Sequence, residues 1–163
     1  MLYELKGICQ VCGRDYKLVI PDKKKIDSCD NCGNPPLEFK NFQGVIYIIS
    51  HPNQIGVKVG LTTNDIDKRV QQLESTGVPG KFNKVAIFPS SRPKQDEKKA
   101  HQALKKCYLA KEHFQITPTE AVLKVHKALN YRIPIFFDNQ IEQEFNEEKE
   151  KRRTLMQSRL KGK

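Results

Sequence analysis

Two Cys-x2-Cys pairs, Cys9-x2-Cys12 and Cys29-x2-Cys32, with sixteen residues between them, constrain this chain more than any other feature. A Cys-x2-Cys pair on a tight turn presents two thiolates to one ion, and two pairs at this separation fall within the spacing of a four-cysteine zinc ribbon. Gly13 and Gly33 follow the second member of each pair, where the backbone must reverse. Tyr16–Ile20 reads as a short strand of a hairpin between the knuckles. Four protein ligands leave no position for water, so the zinc is assigned to folding rather than to chemistry. Disulfides and a redox pair are the competing readings. Disulfides fit poorly with an intracellular chain, and a redox motif needs one such pair in a βαβ setting. About 40 residues bury little apolar surface, and roughly 10–16 kcal/mol of zinc binding is what lets such a segment fold.

The chain has 163 residues, room for this module and one further domain, and too few for a large multidomain enzyme. Its longest strongly apolar run, Val45–Ile49, is far short of a membrane span. Residues Met1–Gln10 carry Glu4 and Cys9 rather than a basic flank and an apolar stretch, so an intracellular, cytoplasmic protein without a membrane partner is expected. The net charge of +10 favours polyanions such as nucleic acid or an anionic membrane surface, although solvated lysine also accounts for a basic protein. Residues 1–40 carry +1, residues 41–130 carry +7 and residues 131–163 carry +2, so the positive field belongs to the middle of the chain.

Asn34-Pro35-Pro36 marks the exit from the ribbon, and Lys40–Gly44 is a connector. The expected domains are a zinc ribbon at 1–40, a second domain at 41–130 and a charged, mostly helical extension at 131–163. In the second domain, Gly44–Ser50 and Gly56–Leu61 read as a hairpin across His51-Pro52-Asn53-Gln54. Ile66, Val70 and Leu73 repeat as in a helix that starts near Asn64 and is closed by Gly77. Asn83–Phe88 is the third strand. Residues 94–108 read as helical through Ala100, Leu104, Cys107 and Tyr108, with Pro93 near the start. Thr117-Pro118-Thr119-Glu120 opens another helix with a capping box, and Val122, Val125 and Leu129 form its apolar face. The fold class is therefore α+β: a small three-stranded antiparallel sheet flanked by helices, preceded by a zinc ribbon and followed by a charged C-terminal helix. That last helix runs from glutamates (Glu142–Glu150) to basic residues (Lys151–Lys161), the order that complements its dipole. Ile141, Phe145, Met156 and Leu160 give it a thin apolar stripe, leaving it to pack on the domain, meet a partner chain or protrude.

Several ionisable residues sit where apolar ones are expected. Arg69 shares the stripe of Ile66, Val70 and Leu73, and Glu97 lies beside Ala100 and Leu104 with His101 one turn away. A salt-bridged or snorkelling Arg and a surface Glu are the plain alternatives. Val45-Ile46-Tyr47 and Lys58-Val59-Gly60 stand ten residues apart, followed by Leu61-Thr62-Thr63, Lys68-Arg69, Ser75-Thr76-Gly77-Val78-Pro79, Glu97-x3-His101 and Glu112-His113-Phe114. Over roughly residues 43–130 this string resembles the GIY-YIG nuclease superfamily, in particular its phage-associated, T5orf172-like branch, where Lys commonly replaces the Tyr of the second motif.

The resemblance implies a phosphodiesterase. Arg69 would bind the scissile phosphate through its planar fork, and Glu97 would be the single protein ligand of Mg²⁺ or another divalent cation. Tyr47 would position or deprotonate the attacking water, the latter only if nearby cations lowered its pKa. Lys58 would either touch phosphate or lower the pKa of Tyr47. His101 would touch phosphate, orient Glu97 or satisfy core polarity, while Glu112 and His113 occupy family-like positions with a structural role open to them. Gly60 would permit a close backbone approach, and Cys107 reads as a core residue. Lys23, Lys24 and Lys25 between the knuckles form a phosphate contact or an ordinary solvated tip. The leading function is a Mg²⁺-dependent endonuclease acting on nucleic acid, DNA before RNA, with the ribbon aiding target binding. A catalytically inactive nucleic-acid-binding adaptor and a zinc-ribbon protein-interaction module are the alternatives.

Overall fold

A computed structural model of the chain describes residues 2–9, 11–21, 28–29, 31–34, 42–75 and 80–161. Lys23, Lys24 and Lys25, the Pro35-Pro36 exit, the first two residues of the connector at Lys40–Gly44, and Gly77 lie outside the described residues. The chain divides into two compact units, Met1–Asn41 and Phe42–Lys163.

In the first unit, β1 (Leu2–Ile8) pairs antiparallel with β2 (Asp15–Pro21), so the expected strand at Tyr16–Ile20 is present and its partner precedes the first cysteine pair. The two knuckles repeat one turn. Cys9 N–H donates to Arg14 O and Gly13 N–H to Cys9 O, both at 2.9 Å, while Cys29 N–H donates to Asn34 O and Gly33 N–H to Cys29 O, both at 2.8 Å. Gly13 and Gly33 take φ of 69° and 70°, a left-handed backbone open to glycine without steric cost.

The second unit is α+β. Its strands are β3 (Gly44–Ser50), β4 (Val57–Thr62), β5 (Asn83–Ser90), β6 (Tyr108–Ala110), β7 (His113–Phe114) and β8 (Ile135–Phe136). They form one antiparallel sheet in the order β6-β7-β4-β3-β5-β8. The sheet is therefore six-stranded rather than the three-stranded one expected. The additional strands are two or three residues long, too short to show an alternation, and all three lie toward the sheet edges. The expected helix at 94–108 is also shorter: α2 is Pro93–Leu104, a 3₁₀ turn follows at Lys105–Cys107, and Tyr108 begins β6 with its side chain exposed.

β3 is central and buried on both faces, which is why its sequence is a continuous apolar run. Ile46 and Ile48 join Val57, Val59, Val85, Ala86 and Phe88 on one face. This face is covered by α2 through Ala100 and Leu104 and by α3 (Pro118–Ala128) through Ala121, Val122 and Val125. A bulge in the β3–β5 pairing between Ile48 and Ile49 lets Val85 and Ala86 both reach that core. Tyr47 and Ile49 point the other way, onto Ile66 and Val70 of α1 (Ile66–Glu74). Asp65 caps α1 by accepting from the N–H groups of Asp67 and Lys68 at 2.8 and 3.3 Å. Thr117 caps α3 by accepting from Glu120 N–H, with Pro118 at the first helical position.

The last helix, α4 (Asn139–Lys161), packs its first half on the unit. Phe145 is buried against the rings of Phe136 and His126, and Ile141 joins the same core. Arg152 reaches Glu120 of α3 at 2.7 Å. The side chains of Met156 and Leu160 lie outside those described. Among the described residues no helix is long and apolar enough to cross a membrane.

Candidate functional site

The cysteine cluster is the simpler of two candidate sites. The Sγ atoms of Cys9, Cys12, Cys29 and Cys32 all lie within 4.8 Å of one another. Cys9–Cys32 and Cys12–Cys29 are 3.8 and 4.0 Å apart, much longer than a disulfide. A tetrahedron with metal–sulfur bonds of about 2.3 Å has edges of about 3.8 Å, close to these two separations, so the four sulfurs could hold a zinc ion. Backbone N–H groups of Cys12 and Val11 pull the Cys9 thiol down to about 7. At Cys12 the Arg14 N–H favours the thiolate, but desolvation and the neighbouring thiols prevail and push it up to about 11. Among the described residues this is the only cluster of three or more metal-ligating side chains.

The second site lies on the α1 face of the sheet. Alternation along β3 and β4 places Tyr47, Lys58 and Gly60 on this face, and Tyr47 is the Cα partner of Gly60 across the two strands. A Cβ on Gly60 would stand 2.6 Å from Tyr47 Oη and 3.2 Å from Glu112 Oε2, so both oxygens converge over the bare glycine. Gly60 thus admits a side-chain hydroxyl, where the sequence suggested close approach of a backbone. Lys58 Nζ donates to Glu112 Oε2 at 2.5 Å.

Tyr47 is fully buried. Burial raises its phenol above the ordinary value; the Arg69 guanidinium beside it pulls the other way without prevailing, and the charges of Glu112 and Glu97 add to the rise. Tyr47 Oη and Arg69 Nε are both buried with no hydrogen-bond partner among the described residues, and so is His113 Nε2. Desolvation, then the charge of Lys58, holds His113 below its ordinary pKa. Tyr47 Oη and His113 Nε2 thus lie beside the Lys58–Glu112 ion pair, and Arg69 lies beside Tyr47.

Glu97 and His101 come from α2. From its pairing with β7, the outer edge of β4 continues without a partner strand, and side chains replace one. Val59 N–H donates to Glu112 O at 2.9 Å, His101 Nε2 donates to Val59 O at 2.8 Å, and Leu61 N–H donates to Glu97 Oε1 at 3.0 Å. Both α2 residues therefore complete a backbone ladder. Glu97 Oε2 has no hydrogen bond among the described residues, so this half-buried carboxylate keeps one oxygen for a cation.

Sequence reasoning placed Glu112 and His113 near the site without a chemical role and overlooked Asp96. Asp96 is the more deeply buried acid of α2, and its Oδ2 accepts from Ser90 Oγ at 2.6 Å and Arg132 Nη1 at 2.5 Å. Burial alone would raise its pKa; the hydrogen bonds and the charges of Arg132 and Lys99 outweigh that and hold it below the ordinary value. The serine and arginine that reveal it lie 6 and 36 residues away in sequence.

The family model of the T5orf172 domain matches residues 44–133, more than half of the chain and the whole of this site. The chain belongs to the T5orf172 domain family. Comparison with curated proteins and with solved structures returns no match. T5orf172 domains are nuclease-associated, which joins the basic second unit to nucleic acid. Here the T5orf172 match begins at the first residue of β3 and runs past β7, so Tyr47, Lys58, Arg69, Glu97, His101 and Glu112 all fall inside it.

Proposed function

We propose that the second unit is a GIY-YIG-type endonuclease that hydrolyses phosphodiester bonds of nucleic acid, DNA in the first instance, with a divalent cation such as Mg²⁺. The observation that carries this reading is the meeting of Tyr47 and Arg69, whose Oη and Nε are buried without a hydrogen-bond partner among the described residues, on the sheet face that also carries Lys58. A buried donor without an acceptor costs about 1–3 kcal/mol, and a bound phosphate would supply the acceptor.

Each residue then has a role. Arg69 holds the scissile phosphate through its guanidinium and stabilises the charge that develops on it. Lys58, on the same face, makes a second phosphate contact through its ammonium group. A phenol raised by burial stays protonated near neutral pH, so Tyr47 orients the attacking water or a phosphate oxygen rather than removing a proton. Glu97 fits a magnesium ion that keeps most of its waters, because one carboxylate oxygen remains free on a carboxylate anchored by the other. When bound, that ion would supply Lewis-acid polarisation of the phosphate. His101 holds the edge of β4 to which Glu97 is tied. The four-cysteine unit binds structural zinc and contributes to target binding, with Lys23, Lys24 and Lys25 as its candidate phosphate contacts.

A second reading has its own support. Lys58 is already neutralised by Glu112 and Glu97 is engaged by Leu61, a state compatible with a binding adaptor that has lost turnover. Supercoiled plasmid incubated with wild type, Arg69→Ala and Glu97→Gln, each with and without Mg²⁺, separates the two. Nicking by wild type in magnesium alone, reduced about a hundredfold or more in either variant, is the nuclease outcome. Salt-sensitive binding without cleavage of DNA or RNA by wild type is the adaptor outcome.

A further inference from the structure

Glu112 sits on the turn between β6 and β7, after Lys111 in a left-handed conformation (φ 53°). Its carbonyl is fixed to β4 by Val59 N–H, and His113 is the Cα partner of Lys58, so the backbone holds Glu112 against the centre of the site. Its Oε2 is 2.5 Å from Lys58 Nζ and shares the space above Gly60 with Tyr47 Oη. The two charges are unequally exposed: the Lys58 side chain is 11% accessible and that of Glu112 35%. The cation is the inner partner and the anion the outer, removable one.

A carboxylate and a phosphodiester are both monoanions that offer two equivalent oxygens to the same donors. The carboxylate present satisfies Lys58 yet leaves Tyr47 Oη and Arg69 Nε without a partner, so it is an incomplete occupant. We propose that Glu112 occupies the seat of the substrate phosphate, neutralising Lys58 in the free protein and giving way when a phosphodiester enters. The inference rests on the nucleic-acid reading of this site and assigns Glu112 as the residue that sets the threshold for binding. Exchange of one monoanion for another never leaves Lys58 bare at the sheet surface. A carboxylate left in place would repel the incoming phosphate, so the displacement is obligatory.

The test is binding rather than turnover. A fluorescently labelled double-stranded DNA oligonucleotide is titrated into the full-length, zinc-loaded protein in magnesium-free buffer without chelator at low salt, comparing wild type, Glu112→Gln, Glu112→Asp, Lys58→Met and the double variant Lys58→Met/Glu112→Gln. Glu112→Gln should bind about tenfold tighter than wild type, with Glu112→Asp between them, and Lys58→Met should bind more weakly. The gain from Glu112→Gln should vanish in the Lys58→Met background. Equal or weaker binding by both Glu112 variants, with wild-type circular dichroism, would overturn the proposal, as would a gain that persists without Lys58. If wild type binds DNA but cuts no plasmid, the nuclease reading fails and the proposal stands or falls on Glu112→Gln alone. If wild type binds no DNA even at low salt, both fall.

Discussion

At the scale of single residues, Gly60 and Asp96 show how little side-chain identity alone reveals. Gly60→Ala would place a methyl carbon 2.6 Å from Tyr47 Oη, a distance real atoms do not keep, so the Tyr47 ring must shift from its place. Loss of about 1–3 kcal/mol in a denaturant titration is expected, together with weaker oligonucleotide binding. Asp96 gives a pH signature. Its folded pKa lies below that of the unfolded chain, so its contribution is fully present above the unfolded value and is lost as pH falls from there through the folded one. Wild type should therefore be more stable than Asp96→Asn at neutral pH, and the gap in melting temperature should close as pH drops below the carboxylate range. An unchanged gap at acid pH would remove the carboxylate as its source. The sequence marked Arg69 and Glu97 because an ion beside an apolar stripe is visible at helical spacing. It could not mark Asp96, whose partners come from β5 and from the segment before β8, or the meeting of Lys58 with Glu112 across 54 residues.

At the scale of elements, β3, β4, β5, α1 and α3 were legible in the sequence because each is long enough to show its period and carries its own start signal. The edges were not. β7 and β8 have two residues each, and β6 interrupts what reads as a continuing helix, because the apolar positions Cys107 and Tyr108 suit a helical period as well as an edge strand. Tertiary pairing decides these segments. The open side of β4 is the element on which the candidate site depends, and His101 closes it at Val59. His101→Ala should cost about 1–3 kcal/mol and raise the exchange rate of the Leu61 amide, whereas His101→Gln, which keeps a donor, should restore part of both. Wild-type protection of Leu61 in His101→Ala would show that α2 holds this edge by packing alone. α4 was the element whose partner the sequence left open. Burial of Phe145 answers for its first half, and Phe145→Ala should lower stability by about 3–5 kcal/mol in chemical denaturation.

At the scale of the whole molecule, two compact units are stabilised by different chemistry. The first has a four-sulfur cluster, and the second has a continuous apolar core on either side of β3. A strong chelator should abolish the NMR dispersion of residues 2–34 while leaving that of residues 44–161 in place, and added zinc should restore it. Retention of the first unit's dispersion in metal-free protein would remove zinc from its folding. Within the second unit, the site is divided between segments far apart along the chain. Tyr47 and Lys58 lie on one face of the β3–β4 hairpin, which closes over a short turn, while Glu112 joins only when β7 adds to the outside of β4. Short loops close before long ones, so a chain emerging during synthesis can form the hairpin and its lysine before the glutamate exists to cover it. A hairpin formed first would present Lys58 without its counter-charge, and the addition of β7 to β4, rather than the hairpin turn, is what brings the two charges together.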